Sequence, residues 1–318
     1  DGAPTPGGVV SSADSSLHTA RWCMTPSLTL AVCTRKRPRE LARLIDSLGE
    51  QDWPQGASLL VVDNDPNGSA EVVVEAVEHL PVPVEYVRES RPGYSTVRNR
   101  ALDAARSSVA VCFLDDDTVV PPNWIRQMEN TRLRHPNSII RSRYAHVPTL
   151  PNGPRAVIET IEELGDLSSR QPAGTSGLLL PMGVLGDVRF DEYYDRCGGE
   201  DMDLLLRLRR AGVSEVIAET VVLEEQRVAP LPLAEQRRVA RWNGRVATVI
   251  RLRAGLPTGQ YRTRALVDAG AALAGALPRF ALGRREGAKG YATLAAGRWA
   301  MATAPLKAPA SLGPRPLV

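Results

Sequence analysis

Cysteine is scarce and scattered. Cys23, Cys33, Cys112 and Cys197 are the only four in 318 residues, and they show neither CxxC spacing nor a disulfide framework. Cys33 and Cys112 fall in predicted strands and read as reduced core residues, which suits a cytosolic setting. No stretch reaches the ~18 uninterrupted apolar residues of a spanning helix, and no charged-then-apolar leader with a cleavage site opens the chain. Charge of one sign is also lacking. The net value is +3, so no overall excess recommends a nucleic-acid partner. What remains, 43% hydrophobic and 24% charged, is an ordinary soluble composition with room for one large domain or two smaller ones.

Local absences exclude further chemistry. The loop Thr34-Arg35-Lys36-Arg37-Pro38-Arg39-Glu40 contains no glycine, so it is not a phosphate-cradling glycine loop. Val120 and Arg126 stand where a calcium-binding loop after Asp115 would need Gly and Glu. Residues 1–26 are rich in Gly, Pro, Ser and Ala without apolar periodicity. They are expected to form a disordered leader, with Met24 as the natural start.

The chain turns on Ser108-Val109-Ala110-Val111-Cys112-Phe113-Leu114, followed by Asp115-Asp116-Asp117. The apolar run predicts a strand buried on both faces of a parallel sheet. Ligands of such sheets collect beyond the carboxyl ends of strands, where these three acids fall. Two full charges about 4 Å apart repel by roughly 4 kcal/mol at an effective dielectric near 20. Water, arginine or a hard divalent cation would relieve that repulsion, and a solvated turn is the plain alternative.

Two earlier strands end in the same way. Leu28–Cys33 runs into the cationic loop and a helix with Leu41, Leu44, Ile45 and Leu48 on one face, while Ser58–Val62 ends at Asp63-Asn64-Asp65-Pro66-Asn67-Gly68. A helix over 70–80, a strand over 82–87 and a helix carrying Arg98, Asn99 and Arg100 follow. The order βα, βα, βα, β predicts a doubly wound, mostly parallel α/β sheet with helices on both faces. After a helix from Asn123, short strands are expected at 138–144 and 177–180. In Gly198-Gly199-Glu200-Asp201-Met202-Asp203 glycines precede acids, and a helix closed by arginines and Gly212 follows. These acids suit a helix start as well as they suit catalysis. Arg237, Arg238, Arg241, Arg245, Arg251 and Arg253 mark a helix expected to break near Gly244. An apolar stretch, Ala265–Ala276, should stop at Pro278.

Leu30–Arg37, Val61–Asn64, Phe113–Asp117 and Gly199–Leu204 together resemble the family 2 inverting glycosyltransferases of GT-A fold, over roughly residues 27–245. The resemblance implies a nucleoside-diphosphate-sugar donor of the UDP or dTDP type and a divalent cation, Mn²⁺ or Mg²⁺. It places Thr34 and Arg37 on the nucleoside, and Asp63 with Asn64 at the base. Asp115 lies nearer the ribose and Asp117 on the metal, with Asp116 the substitute if the register shifts. It makes Asp201 the catalytic base and Glu200 a supporting acid. Glu224 stands in for the late His that many relatives carry. Arg37 or Arg98 would help stabilise the leaving diphosphate.

The expected division is a leader (1–26), a catalytic domain (27–228), a basic helical C-terminal region (229–304) and a flexible tail (305–318). The acceptor would be a glycan, a lipid-linked group or a natural product, the source bacterial, and the location cytoplasmic with peripheral contact at the inner membrane face. A nucleotidyltransferase and a catalytically silent membrane-associated module are the competing readings.

Overall fold

Alternating burial on both sides of an apolar strand decides the centre of the molecule. The computed structural model describes residues 27–148, 150–164, 174–225, 232–282 and 285–304. The expected leader with Met24 and Cys23, the boundary at 228/229 and the tail lie outside them. Strand β1 (Leu28–Thr34) pairs in parallel with β2 (Ala57–Asp63) and β4 (Ala110–Asp115), and β3 (Val84–Arg88) extends the sheet beyond β2. Because side chains alternate across a strand, Leu30 and Val32 enter one core with Leu44, Leu59 and Trp124. Ala31 enters the other with Leu60, Val62, Phe113 and Leu204.

Each early strand returns through a helix: α1 (Pro38–Leu48), α2 (Glu71–Glu75) and α3 (Tyr94–Ala104). Helix α1 buries Leu41, Leu44, Ile45 and Leu48, the face its spacing predicts. Helix α2 is shorter than the span 70–80 expected for it and buries none of its residues. Its Val72-Val73-Val74 run loses side-chain freedom in a helix, and only Val73 and Val74 pack, partly buried, against the core.

The second half is mixed. It contains β5 (Thr118–Val119), α4 (Trp124–Arg134), β6 (Ser138–Val147), α5 (Pro154–Leu164), β7 (Leu178–Pro181), α6 (Met182–Leu185), α7 (Glu200–Arg210) and β8 (Ser214–Glu225). Strand β7 runs antiparallel to β4 and β6, β6 parallel to β8, and β5 antiparallel to β8. The eight-stranded order is β3-β2-β1-β4-β7-β6-β8-β5. The chain is thus α/β, with a mostly parallel sheet flanked by helices and a helical C-terminal region.

That region comprises α8 (Leu233–Arg253), α9 (Gly259–Ala281) and α10 (Arg285–Thr303). Two expected interruptions are absent. Helix α8 passes unbroken through Gly244, because that glycine is where α10 comes closest: a β-carbon there would collide with the Gly297 carbonyl oxygen. Gly297 is equally close to α8, since its own β-carbon would lie 3.1 Å from the Ala240 carbonyl oxygen. Pro278 is inside α9, one turn from the end, and its carbonyl still accepts from Leu282 N at 3.0 Å.

Alanine at position 244 separates propensity from packing. Helix propensity alone favours Gly244→Ala by about 1 kcal/mol. Overpacking against a backbone carbonyl costs about 1–3 kcal/mol and should win. The variant should melt a few degrees lower by calorimetry; a higher melting temperature would mean that the two helices separate freely.

Candidate active site

The parallel register brings three strand ends to one edge. Thr34 is opposite Asp63, and Cys33 opposite Asp115. Beyond Asp115 the chain turns, with the Thr118 hydroxyl donating to the Asp115 carbonyl at 2.7 Å. Asp116 is buried; it accepts from the Thr34 hydroxyl at 2.6 Å and from Arg37 Nη1 at 3.1 Å. The same Arg37 nitrogen donates to Asp117 at 2.7 Å. Burial pushes the Asp116 carboxyl up to about 6, although Thr34 and Arg37 both pull it down. Asp115 is also raised by burial, with Arg98 opposing.

Arg98, on α3, is buried between the two acidic groups. It pairs with Glu200 at the start of α7 and lies 3.6 Å from Asp115. Burial works against its charge, but Glu200 and Asp115 outweigh that and hold it firmly protonated. Glu200 is itself raised by burial, and its Oε2 has no hydrogen-bond partner.

The acids of α7 face different surroundings. Gly198 and Gly199, at φ +72° and +97°, turn the chain sharply into the helix. Asp201 is partly exposed; its Oδ1 accepts from Met202 N at 2.8 Å, and its Oδ2 would lie 2.9 Å from a β-carbon on Gly174. Asp203 is buried and held by Arg207 at 2.8 Å. Among the described residues, Asp201 is therefore the one acid of this turn that is neither buried nor ion-paired.

Asp63 and Asn64, expected at the base, are committed to the loops around it. The wholly buried Asp63 carboxylate accepts from Asp65 N, Ala70 N and the Tyr86 hydroxyl. The Asn64 amide donates to the Glu89 and Arg91 carbonyls and accepts from Gly93 N. Both side chains make these hydrogen bonds inside the protein and hold the loops at the ends of β2 and β3.

Glu224 lies at the far side of the cluster, opposite His146 in the β6–β8 ladder. The Tyr144 hydroxyl is 2.6 Å from His146 Nε2 and hydrogen-bonds Glu224. Burial raises Glu224, and repulsion from Asp117 adds to it. A histidine thus stands beside Glu224 on the neighbouring strand. Only the pairing of two strands distant in sequence reveals it. Burial pushes the Cys33 thiol up to about 12.

A groove of about 880 Å³ lies elsewhere, lined by Arg88, Arg91, Asn99, Arg189 and Phe190 among others. None of the three aspartates lines it, and Arg91 and Arg189 are paired with neighbouring acids.

The profile of the family described as "Glycosyl transferase family 2" matches residues 29–167. This segment is a family 2 glycosyltransferase domain. No curated protein sequence matches the chain. Among solved structures, the crystal structure of S. aureus TarS superposes with a TM-score of 0.45 at 15% identity, over 68% of this chain and 38% of that one. S. aureus TarS 1-349 in complex with UDP gives 0.47 at 13% identity, over 86% and 90%. The chain spans 38% of the length of the first of these.

The family implies a divalent cation, and the donor set fits one in kind. Asp115, Asp117 and Glu224 offer hard oxygens in mutual repulsion. Mg²⁺ of this class takes one or two carboxylates and completes its shell with water and substrate phosphates. Among the described residues no three His, Cys, Asp or Glu side chains already converge on one point. The remaining ligands would therefore come from the substrate.

Asp116 gives the protein a pH signature. Its folded pKa lies above the unfolded value. Its proton therefore favours the fold fully below about pH 4, and that contribution is lost as pH rises through about 6. Asp116→Asn should melt above the parent near pH 7.5, with the gap closing toward about pH 4.5. A variant less stable at both pH values would mean that the ion pair with Arg37 outweighs the cost of burying the carboxylate.

Proposed function

We propose that the enzyme transfers a sugar from a nucleoside diphosphate of the UDP or dTDP type to an acceptor hydroxyl by single displacement, with inversion. The observation that carries this reading is the separation of the two acids on α7. Glu200 is buried against Arg98, while Asp201 is accessible beside it.

The chemistry follows from that division. The acceptor oxygen attacks the anomeric carbon as the bond to the diphosphate breaks, and its proton passes to the Asp201 carboxylate. Arg98, pinned by Glu200 and Asp115, keeps a fixed positive charge between the leaving-group side and the base. Such preorganised charge lowers the cost of the developing anion. Arg37 is half exposed, so the face turned away from Asp116 can meet a phosphate. Thr34 holds Asp116 and fixes the loop that carries Arg37. A divalent cation, Mn²⁺ or Mg²⁺, held by Asp117 and Asp115 with Glu224 beyond, would neutralise diphosphate charge when bound. The setting we propose is the bacterial cytoplasm, with a glycan, lipid-linked or natural-product acceptor.

Asp201→Asn tests the base. The amide still accepts from Met202 N, so the helix start and donor affinity should survive, while turnover falls roughly 10²–10⁴-fold. A residue that only organises the turn would cost at most about 1–2 kcal/mol of stability and leave the rate near normal. Turnover and melting temperature on the one variant decide between them.

Calorimetry tests the metal. Nucleoside diphosphate should bind tightly with Mn²⁺ and weakly in EDTA, and Asp117→Asn should remove most of the difference. Equal affinity in EDTA would leave Arg37 and Arg98 as the sole counter-charges.

A further inference from the structure

Helix α9 packs inside out. It buries alanines (Ala265, Ala269 and Ala272) and leaves its large side chains in solvent. Leu266, Val267, Leu273, Leu277 and Leu282 are 45–72% exposed. Every residue described as exposed from 266 to 282 is Leu, Val, Ala, Gly or Pro. At 100° per residue these positions cover about half the helix circumference, over roughly 24 Å. The charged residues of the same span engage elsewhere. Asp268 pairs with Arg264 and with Arg298 of α10, and Arg279 lies over the Tyr291 ring at 4.3 Å. A contiguous apolar face of this size on a folded protein marks a contact surface.

Charge identifies what it contacts. Residues 232–304 hold thirteen of the 39 basic residues but three of the 36 acidic ones. Arg238, Arg241 and Arg245 are exposed along one side of α8, and Trp299 of α10 is also exposed. A second copy of this chain would bring one strongly basic region against another. An anionic bilayer offers both complements at once: acidic headgroups for arginine, and an apolar interior for leucine. No helix among the described residues is long and apolar enough to cross a membrane, so the contact lies in the interface plane.

We propose that α9 is an interfacial membrane-docking helix, seated by its leucine face on phospholipid surfaces that carry negative headgroups. Docking of this kind involves no sugar chemistry and stands or falls apart from the transferase mechanism.

Co-sedimentation of the full chain with vesicles tests it. The protein should pellet with phosphatidylcholine vesicles containing phosphatidylglycerol, should release as salt is raised, and should pellet weakly with phosphatidylcholine alone. Leu273→Glu with Leu277→Glu should lower vesicle affinity roughly tenfold or more, at unchanged melting temperature. Should that pair impair folding, Leu273→Ser with Leu277→Ser gives the same comparison without added charge. Three results would overturn the proposal: no pelleting with anionic vesicles at low salt, undiminished binding by a folded variant, or a dimer by light scattering that the same substitutions dissolve.

Discussion

Repulsion among carboxylates at one sheet edge is the constraint from which the rest of this site follows. Asp115, Asp116, Asp117, Glu200 and Glu224 form a chain of mutually repelling neighbours, and four of them have pKa values raised by burial. Two guanidiniums keep the arrangement tolerable. Arg37 neutralises the turn beyond β4, and Arg98 joins that turn to α7. Breaking a buried ion pair by removing one partner typically costs about 3–5 kcal/mol, because the other charge is left uncompensated. Loss of Arg98 would bring that cost to the buried Glu200, whereas the more exposed Asp115 is partly screened by water. The site is therefore electrostatically unsatisfied from one side, the side on which an anionic donor and a cation would have to arrive together.

How much of this the sequence discloses depends on the range of the interactions. The β1, β2 and β4 strands are legible because each is a short apolar run ending in polar residues, and α1 because its leucines fall on one helical face. The convergence of Thr34, Arg37 and the aspartates follows from strand order alone. The second half of the sheet is less legible. Strand β8 mixes exposed and buried positions, and its partners β6 and β5 are far away in sequence, so neither periodicity nor spacing announces the pairing. His146 is invisible for that reason. Asp63 and Asn64 stand out in the sequence, but their orientation does not, since an aspartate at a strand end serves a turn or a ligand equally well. Gly244 reads as a break because propensity is local, whereas its role is to admit a neighbouring helix.

The C-terminal helices show a different relation between composition and fold. The helices approach closely at small residues, as at Gly244 and Gly297, and Tyr291 of α10 lies against Gly275 of α9. Helix α9 faces its neighbours with alanines and turns its leucines outward. The same choice of small residues that joins the helices therefore creates the apolar surface.

Gly199 joins these two halves of the molecule. A β-carbon on it would lie 2.6 Å from Val246 Cγ1, so the turn that launches Glu200 and Asp201 rests directly on α8. Tyr194, Cys197, Val246 and Ile250 close that contact, and Trp242 Nε1 donates to the Cys197 carbonyl at 3.1 Å. The basic helices are consequently the rear wall of the acid-bearing turn, not an appendage to the catalytic sheet. A force applied to α8, from whatever the helical region rests on, would arrive at the backbone of Gly199 before it reached any strand.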